Sequence, residues 1–234
     1  MVAARLVEAD TSDGGRRGLI VKRICLRLAL PAAILMIAFS SSGHAQERMT
    51  PARAGGIEAK LEYCKTCHGL SGQGYLGYFA MPRLAGQQPE YIEAQLRAFI
   101  ERRRANPVMR NVAHVLSPSM ITALANHFHH LNPPPFGGGP RGSISTGKRI
   151  YEEGVPESNV PACSACHGAD GKGQSEIPRL AGQLYPYMVG QLSGWRQERG
   201  QGTAVDTSAI MAPTAHNMTR SQIEAVAAYV SNLH

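Results

Sequence analysis

The chain has 234 residues, of which 43% are hydrophobic and 18% are charged, a composition typical of a globular protein with one or two domains. Its 24 basic and 17 acidic residues give a formal charge of +7, but the first 45 residues carry six of the basic and three of the acidic side chains, which leaves only +4 on the remainder. Because nucleic-acid binding needs a concentrated basic face, we predict no nucleic-acid partner. The one basic cluster, residues 102–104, is expected to be a solvated helix end.

The N-terminal segment has the pattern of a secretory signal peptide. Basic residues precede an uncharged run from Leu28 to Gly43, and small residues lie where a signal peptidase would cut after Ala45. The run is shorter than the roughly 20 apolar residues of a membrane span. We therefore predict that residues 1–45 direct export and are removed. Retention of the leader, with peripheral association at a membrane, stays open.

The remaining chain contains four cysteines, arranged in two C-x-x-C-H motifs. The first is Cys64, Cys67 and His68 ("CKTCH"), and the second is Cys163, Cys166 and His167 ("CSACH"). Disulfides or a zinc site would also use four cysteines, but neither explains a histidine directly after each pair.

C-x-x-C-H is the attachment signature of c-type haem. Two intervening residues make about one helical turn, so both thiols face the same way and can form thioethers with the two vinyl groups of a porphyrin. The adjacent histidine then lies beneath the iron as an axial ligand. We predict two covalently bound haem c groups.

The motifs belong to a tandem repeat. The segment "CHGLSGQG" from Cys67 matches "CHGADGKG" from Cys166, and "PRLAGQ" occurs at 82–87 and again at 178–183. A Pro/Gly-rich stretch, 132–142, separates the copies. We predict one domain at 46–131 and a second at 143–234, joined by this linker.

Each copy is predicted to be all-α. The last helix of each is the clearest, with apolar residues at helical spacing in Ile121, Leu124, Ala125 and Phe128, and in Ile223, Val226, Ala227 and Val230. Ser117 before Pro118, and Thr219 with Gln222, are helix-start signals. Further helices are expected at about 89–104 and 185–199, with a short helix leading into each haem motif.

The residues alone leave two candidates for the sixth iron ligand of each haem. Alignment of the final helices pairs Met109 with Met211 and His114 with His216, so both a methionine and a histidine recur. Met218 aligns with a leucine, which cannot bind iron, and is expected to fill the core.

Together the motifs, the repeat and the basic leader resemble the dihaem cytochrome c4 family over essentially all of residues 46–234. The resemblance implies two class I cytochrome c folds in tandem, periplasmic one-electron transfer and His/Met ligation of each iron. Met109 and Met211 are therefore the expected axial partners of His68 and His167. The segment from Tyr75 to Met81 departs from the repeat, because it is three residues longer than its counterpart and rich in aromatic residues.

The same resemblance suggests roles around each haem. The carbonyl groups of Pro82 and Pro178 would accept the N–H of the neighbouring imidazole and orient it. Arg83 and Arg179 would either pair with haem propionates or be solvated.

The predicted function is electron transfer between redox proteins, from a donor to a terminal oxidase or another acceptor, without catalytic residues. One alternative is the dihaem subunit of a dehydrogenase, such as a flavocytochrome c sulfide dehydrogenase. A peroxidase-type haem enzyme is the alternative from another class, and it would need an open or displaceable iron ligand.

Overall fold

The computed structural model describes residues 51–201 and 208–234, so the predicted signal peptide lies outside the described residues. The described residues belong to one compact unit. The first repeat contains α1 (Pro51–His68), β1 (Tyr75–Leu76), β2 (Ala80–Met81), α2 (Pro89–Ile100), α3 (Pro107–His114) and α4 (Pro118–His129). The second contains α5 (Ile144–Glu153), α6 (Ser164–His167), α7 (Tyr185–Ser193), α8 (Trp195–Glu198), α9 (Ser208–Asn217) and α10 (Arg220–Ser231). This confirms the predicted all-α fold.

The last helix of each repeat begins as the sequence predicted. The hydroxyl of Ser117 accepts the N–H of Met120 at the start of α4, where proline occupies the first turn. Thr219 and Gln222 form a complete capping box at the start of α10. Local hydrogen bonding therefore sets where both helices begin.

The helices after the PRLAGQ segments are shorter than expected. α2 ends at Ile100 rather than near residue 104, because Arg102 adopts a left-handed backbone with φ 62°. In the second repeat Gly194 separates α7 from the single turn of α8. The first helix therefore ends early, and the second is interrupted at Gly194.

Helices α3 and α9 were not predicted from the sequence. Asn106 caps α3 by accepting the N–H of Met109 at 2.9 Å, with Pro107 in the first turn, so a start signal was present. In α9 the internal Pro213 weakens the helical pattern. These are the helices that carry Met109 and Met211.

The approach to the haem motif differs between repeats. α1 runs for 18 residues through the motif, so it is longer than the short helix expected. In the second repeat α5 stops at Gly154, where φ is 76°, and a loop closed by the Val155–Val160 bridge leads to α6. The haem motif thus lies at the end of one long helix in the first repeat, and on a second, short helix after α5 in the second repeat.

Apolar side chains form two separate cores, one in each repeat. α4 packs against α1 and α2 in the first, while α10 packs against α5 and α7 in the second. The predicted stripes are buried in both final helices: Ile121, Leu124, Ala125 and Phe128; Ile223, Val226, Ala227 and Val230. No helix in the described ranges is both long and apolar enough to cross a bilayer.

The Pro/Gly stretch between the repeats lies against the second repeat. The carbonyl of Gly138 accepts hydrogen bonds from Ser231 and Asn232 at 3.2 and 3.0 Å. At Gly139 an added Cβ would lie 2.7 Å from Ala228 and from the ring of Tyr185. Its glycines thus permit close packing as well as turning.

The crossing of α5 and α10 depends on a glycine. A Cβ on Gly147 would lie 2.0 Å from the carbonyl oxygen of Ala225. We expect Gly147→Ala to destabilise the haem-loaded protein by about 1–3 kcal/mol or more, because the helices must separate. Denaturant unfolding measures this change. Gly190→Ala is the matched control, since α7 has open space there; a loss of stability equal to that of Gly147→Ala would contradict the explanation.

Candidate functional site

The first C-x-x-C-H motif occupies the C-terminal end of α1. Cys64 is half-buried and Cys67 exposed, both as free thiols, whereas His68 is only 7% exposed. Gly69, with φ 83°, ends the helix, and the N–H of Gly74 donates to the carbonyl of His68 at 2.8 Å. The loop after the motif therefore folds back against the histidine.

The second motif has the same arrangement on a shorter helix. Cys163 is half-buried, Cys166 is exposed and His167 is 6% exposed. Gly168 ends α6 with φ 82°, and the N–H of Gly173 donates to the carbonyl of His167 at 2.9 Å. The two copies of the motif therefore have the same local structure as well as the same sequence pattern.

Both imidazoles are held by a proline carbonyl. Nδ1 of His68 donates to the oxygen of Pro82 at 2.8 Å, and Nδ1 of His167 donates to that of Pro178 at 2.9 Å. A carbonyl only accepts, so the proton is on Nδ1 and Nε2 keeps its lone pair. Burial lowers the pKa of both imidazoles despite these hydrogen bonds. Both rings are therefore neutral, which is the form that binds a metal.

The other uses of the four cysteines find no support in the geometry. All four are free thiols. Between residues 51 and 201, and from 208 onward, no three His, Cys, Asp or Glu side chains come together in a way that could hold a metal ion. Neither the disulfide nor the zinc alternative is supported.

An open cavity of about 440 Å³ adjoins the first motif between α1 and α3. Its lining is mostly apolar and consists of Lys60, Tyr63, Cys64, Val108, Asn111, Val112, Val115 and Leu116. An apolar space beside a cysteine of the motif suits the edge of a porphyrin.

The candidate sixth ligands lie on corresponding helices. Met109 is on α3 and Met211 on α9, and both are half-buried. His114 and His216 are exposed. Met218 is 8% exposed and packs in the second core, as predicted. Axial ligation by the two methionines stays a prediction.

Arg83 and Arg179 are buried, at 3% and 7% exposure, so the solvated alternative is wrong for both. Each Nε donates to a carbonyl two residues ahead, that of Ala85 or of Ala181. Burial, with a smaller effect of the Arg179 charge, lowers the pKa of Arg83 to about 10. Nη1 of Arg83 is buried without a hydrogen-bond partner.

Two glutamines join the repeats through reciprocal hydrogen bonds. Gln87 accepts the backbone N–H of Arg179 at 2.7 Å and donates to its carbonyl at 3.0 Å. Gln183 does the same with Arg83, at 2.8 and 3.1 Å. Both glutamine side chains are buried. Each PRLAGQ segment is therefore fastened to the other.

A second polar cluster lies between the repeats, where the backbones of Arg104 and Arg199 form an antiparallel bridge. Arg104 donates to Gln95, Tyr187 and Gln191, while Arg199 donates to Gln95, Tyr91 and Gln191. Each guanidinium also lies over an aromatic ring of its own repeat. The expectation of a solvated cluster at 102–104 is therefore wrong for Arg104, which the fold draws into this interface.

Comparison with known proteins identifies the family. Residues 144–234 match the sequence profile of the cytochrome c family. Cytochrome c4 from Thiocapsa roseopersicina is 37% identical over 180 residues, which cover 75% of this chain and 90% of that protein. The chain belongs to the dihaem cytochrome c4 family. Its function is accordingly that of a dihaem electron-transfer cytochrome.

Other relatives also match most of this chain. Cytochrome c-552 from Acidithiobacillus ferridurans is 38% identical, over 86% of this chain and 85% of its own. A thiosulfate dehydrogenase electron acceptor from Stutzerimonas stutzeri is 33% identical, over 91% and 97%. The solved cytochrome c4 of Acidithiobacillus ferrooxidans superposes with a TM-score of 0.62 at 39% identity, over 74% of this chain and 99% of that one.

The residues of both motifs fit two covalently bound haems. Each repeat offers two thiols at helical spacing and a neutral, oriented imidazole. The side-chain hydrogen bonds of Arg83 and Arg179 reach uncharged oxygens, so within the described ranges neither buried guanidinium has a carboxylate in hydrogen-bond contact. A haem propionate is such a carboxylate, and the unpartnered Nη1 of Arg83 is the donor it would satisfy.

The sequence did not indicate which residues hold the two repeats together, namely Gln87, Gln183, Arg104 and Arg199. The PRLAGQ repeat contained a signal, because a glutamine recurs at its end in both copies. Its contact is made with residues 92 and 100 positions away in sequence, which no local pattern indicates.

The glutamine bridge can be tested by removing one side. Gln87→Ala leaves the buried N–H and C=O of Arg179 without partners, so we expect a loss of about 1–3 kcal/mol in the free energy of unfolding of the holoprotein. Gln88→Ala is the control, since Gln88 also bonds across the repeats but from a more exposed position. Denaturant titration distinguishes them; equal effects would contradict a special role for Gln87.

Proposed function

We propose that this protein is a periplasmic one-electron carrier in which each repeat forms a domain around one haem. The observation that carries the proposal is the matching pair of histidine–proline contacts, each beside two thiols at helical spacing. Export to the periplasm rests on the leader pattern of residues 1–45.

Covalent attachment is assigned to the four cysteines of the motifs. We assign Cys64 and Cys67 to the first haem and Cys163 and Cys166 to the second. Attachment through two thioethers in each repeat holds the cofactor permanently, as a carrier that meets many partners requires.

His68 and His167 are the proposed proximal iron ligands. In each, the proline carbonyl that accepts the Nδ1 proton keeps Nε2 available and limits rotation of the ring. Met109 and Met211 would supply the second iron ligand of each haem, because they occupy equivalent helices, whereas His114 and His216 are exposed. When bound, each haem supplies one reversibly exchanged electron.

Arg83 and Arg179 are proposed to pair with haem propionates. Each guanidinium is buried and pinned to its own loop through Nε. An anion beside a buried guanidinium offsets the cost of removing that charge from water. Since the backbones of these arginines are held by the opposite repeat, the same contacts would keep the two haem sites in a constant relation.

The partners of a carrier are redox proteins, one donating electrons and one accepting them, such as a terminal oxidase. Interfaces with such partners are small and transient. The relative named as a thiosulfate dehydrogenase electron acceptor covers nearly the whole chain, and this favours a dehydrogenase as the donor. A permanent dehydrogenase subunit is the second candidate, and it would co-purify with its enzyme in stoichiometric amount.

A redox titration of the purified holoprotein tests the carrier function. We expect two one-electron transitions at high potential and a low-spin spectrum in both oxidation states, because His/Met ligation leaves no open iron position. A high-spin resting form with rapid peroxide turnover would instead establish the peroxidase alternative.

Substitution of single methionines tests the ligand assignment. Met109→Ala and Met211→Ala should each remove the methionine-to-iron charge-transfer band of one haem and lower its reduction potential, because a thioether stabilises the reduced iron. The visible spectrum and potentiometry measure both effects.

Met218→Leu is the control for the second haem, since Met218 packs in the core. It should keep both the band and the potential. Loss of the band in Met218→Leu, with retention in Met211→Ala, would show that the copies have been misaligned.

A further inference from the structure

The two repeats differ most visibly in the loop between the haem motif and the PRLAGQ segment. In the first repeat Tyr75 to Met81 form the β1–β2 hairpin, in which Tyr75 pairs with Met81 and Leu76 with Ala80. In the second repeat four residues, Gln174 to Ile177, close the same gap with a single bridge. The hairpin is thus an addition to one repeat only.

The hairpin exposes its aromatic side chains. Tyr78 is 96% exposed, Phe79 is 73% exposed, and their rings contact edge to face at 4.8 Å. Tyr75 and Leu76 are each about half exposed, at 54% and 50%, and Leu70 on the preceding turn is 83% exposed. Clustered exposed apolar side chains of this kind mark interaction sites on soluble proteins.

The loop that forms the hairpin and the helix packed against β2 contain no charged residue. No Asp, Glu, Lys or Arg occurs from residue 69 to residue 81, and α7, which β2 contacts, has none either. The equivalent loop of the second repeat contains Asp170, Lys172 and Glu176 and lies near the acidic residues of α2. One end of the interface between repeats is therefore aromatic and uncharged, while the other carries charges of both signs with an excess of acidic residues.

A charged partner face would be desolvated on this surface without gaining an ion pair. An apolar, uncharged face would instead bury the aromatic rings, which are typical anchors of protein interfaces. The hairpin thus selects for a partner whose contact surface is apolar, and binding to it should depend little on salt.

The hairpin is directly connected to the first haem site. It begins after Gly74, whose N–H donates to His68, and ends before Pro82, whose carbonyl accepts from the same histidine. The proton-bearing Nδ1 faces Pro82, so the iron-binding Nε2 lies on the other side of the ring. A partner on the hairpin would lie beside the first haem site without occupying it.

We propose that the hairpin Tyr75–Met81 is the docking surface for the electron-donating dehydrogenase, through an uncharged apolar face, and directs electrons into the first haem. This rests on the proposed carrier function, and it names a donor of the thiosulfate dehydrogenase kind because one relative is the electron acceptor of that enzyme. The second repeat, which lacks the hairpin, is left for the acceptor.

The chain provides its own control for the test. A loop-exchange variant replaces residues 75–81 with the sequence Gln-Ser-Glu-Ile of the second repeat, which closes the same gap in this fold. A double variant, Tyr78→Ser with Phe79→Ser, removes only the two most exposed rings. Both are compared with the wild-type holoprotein.

The measurement is the stopped-flow rate at which purified thiosulfate dehydrogenase of Stutzerimonas stutzeri, supplied with thiosulfate, reduces each oxidised holoprotein. We expect both variants to be reduced at least about tenfold more slowly, as when central aromatic anchors are removed. The wild-type rate should change less than about twofold between roughly 50 and 500 mM salt. Reduction by dithionite and both reduction potentials should be unchanged in the variants.

Several outcomes would overturn the proposal: equal rates in all three proteins, a steep loss of the wild-type rate with salt, or no reduction of the wild type by this enzyme. Sedimentation adds a further one, since a wild-type dimer that the loop exchange dissociates without slowing reduction would make the hairpin a contact between two copies. Failure of the carrier function itself is distinguishable, because it appears in the wild-type spectra and redox titration without any dehydrogenase.

Discussion

The hydrogen bond from a buried histidine to a proline carbonyl is the contact on which the rest of the arrangement depends. It fixes which imidazole nitrogen bears the proton and so which one can bind iron. The proline is also the first residue of PRLAGQ, and the glutamine at the end of that segment contacts the other repeat. Arginine is buried there and glutamine crosses the boundary. One six-residue segment thus links iron ligation to the interface.

The interface joins two copies of the same repeat, and the two copies differ in particular loops. The crossed glutamines and the facing arginines make nearly the same contacts in both directions, as expected when two copies of one surface meet. The first repeat alone carries the aromatic hairpin, and the second alone carries the loop before Cys163. Two haems in unlike surroundings can differ in potential and in partner, which gives electron flow a direction.

Much of the fold was accessible from local patterns. The final helices were predicted because their caps and apolar stripes depend on residues within one or two turns, and Thr219 with Gln222 shows both parts of the signal. α2 was predicted too long because a left-handed residue at Arg102 has no distinctive sequence. α9 was missed because Pro213 lies inside it. Where a helix ends, and whether an irregular helix forms, depends on contacts that the spacing of apolar residues does not indicate.

The sequence by itself determined the two haem motifs, the repeat and the family, because two thiols and a histidine at helical spacing act together within one turn and need no distant partner. The tertiary structure alone decided that Arg83, Arg179 and Arg104 are interface residues. Those outcomes depend on which residues the folded chain brings near from about 80 to 100 positions away. Burial and pairing across such distances follow from the packing of whole helices.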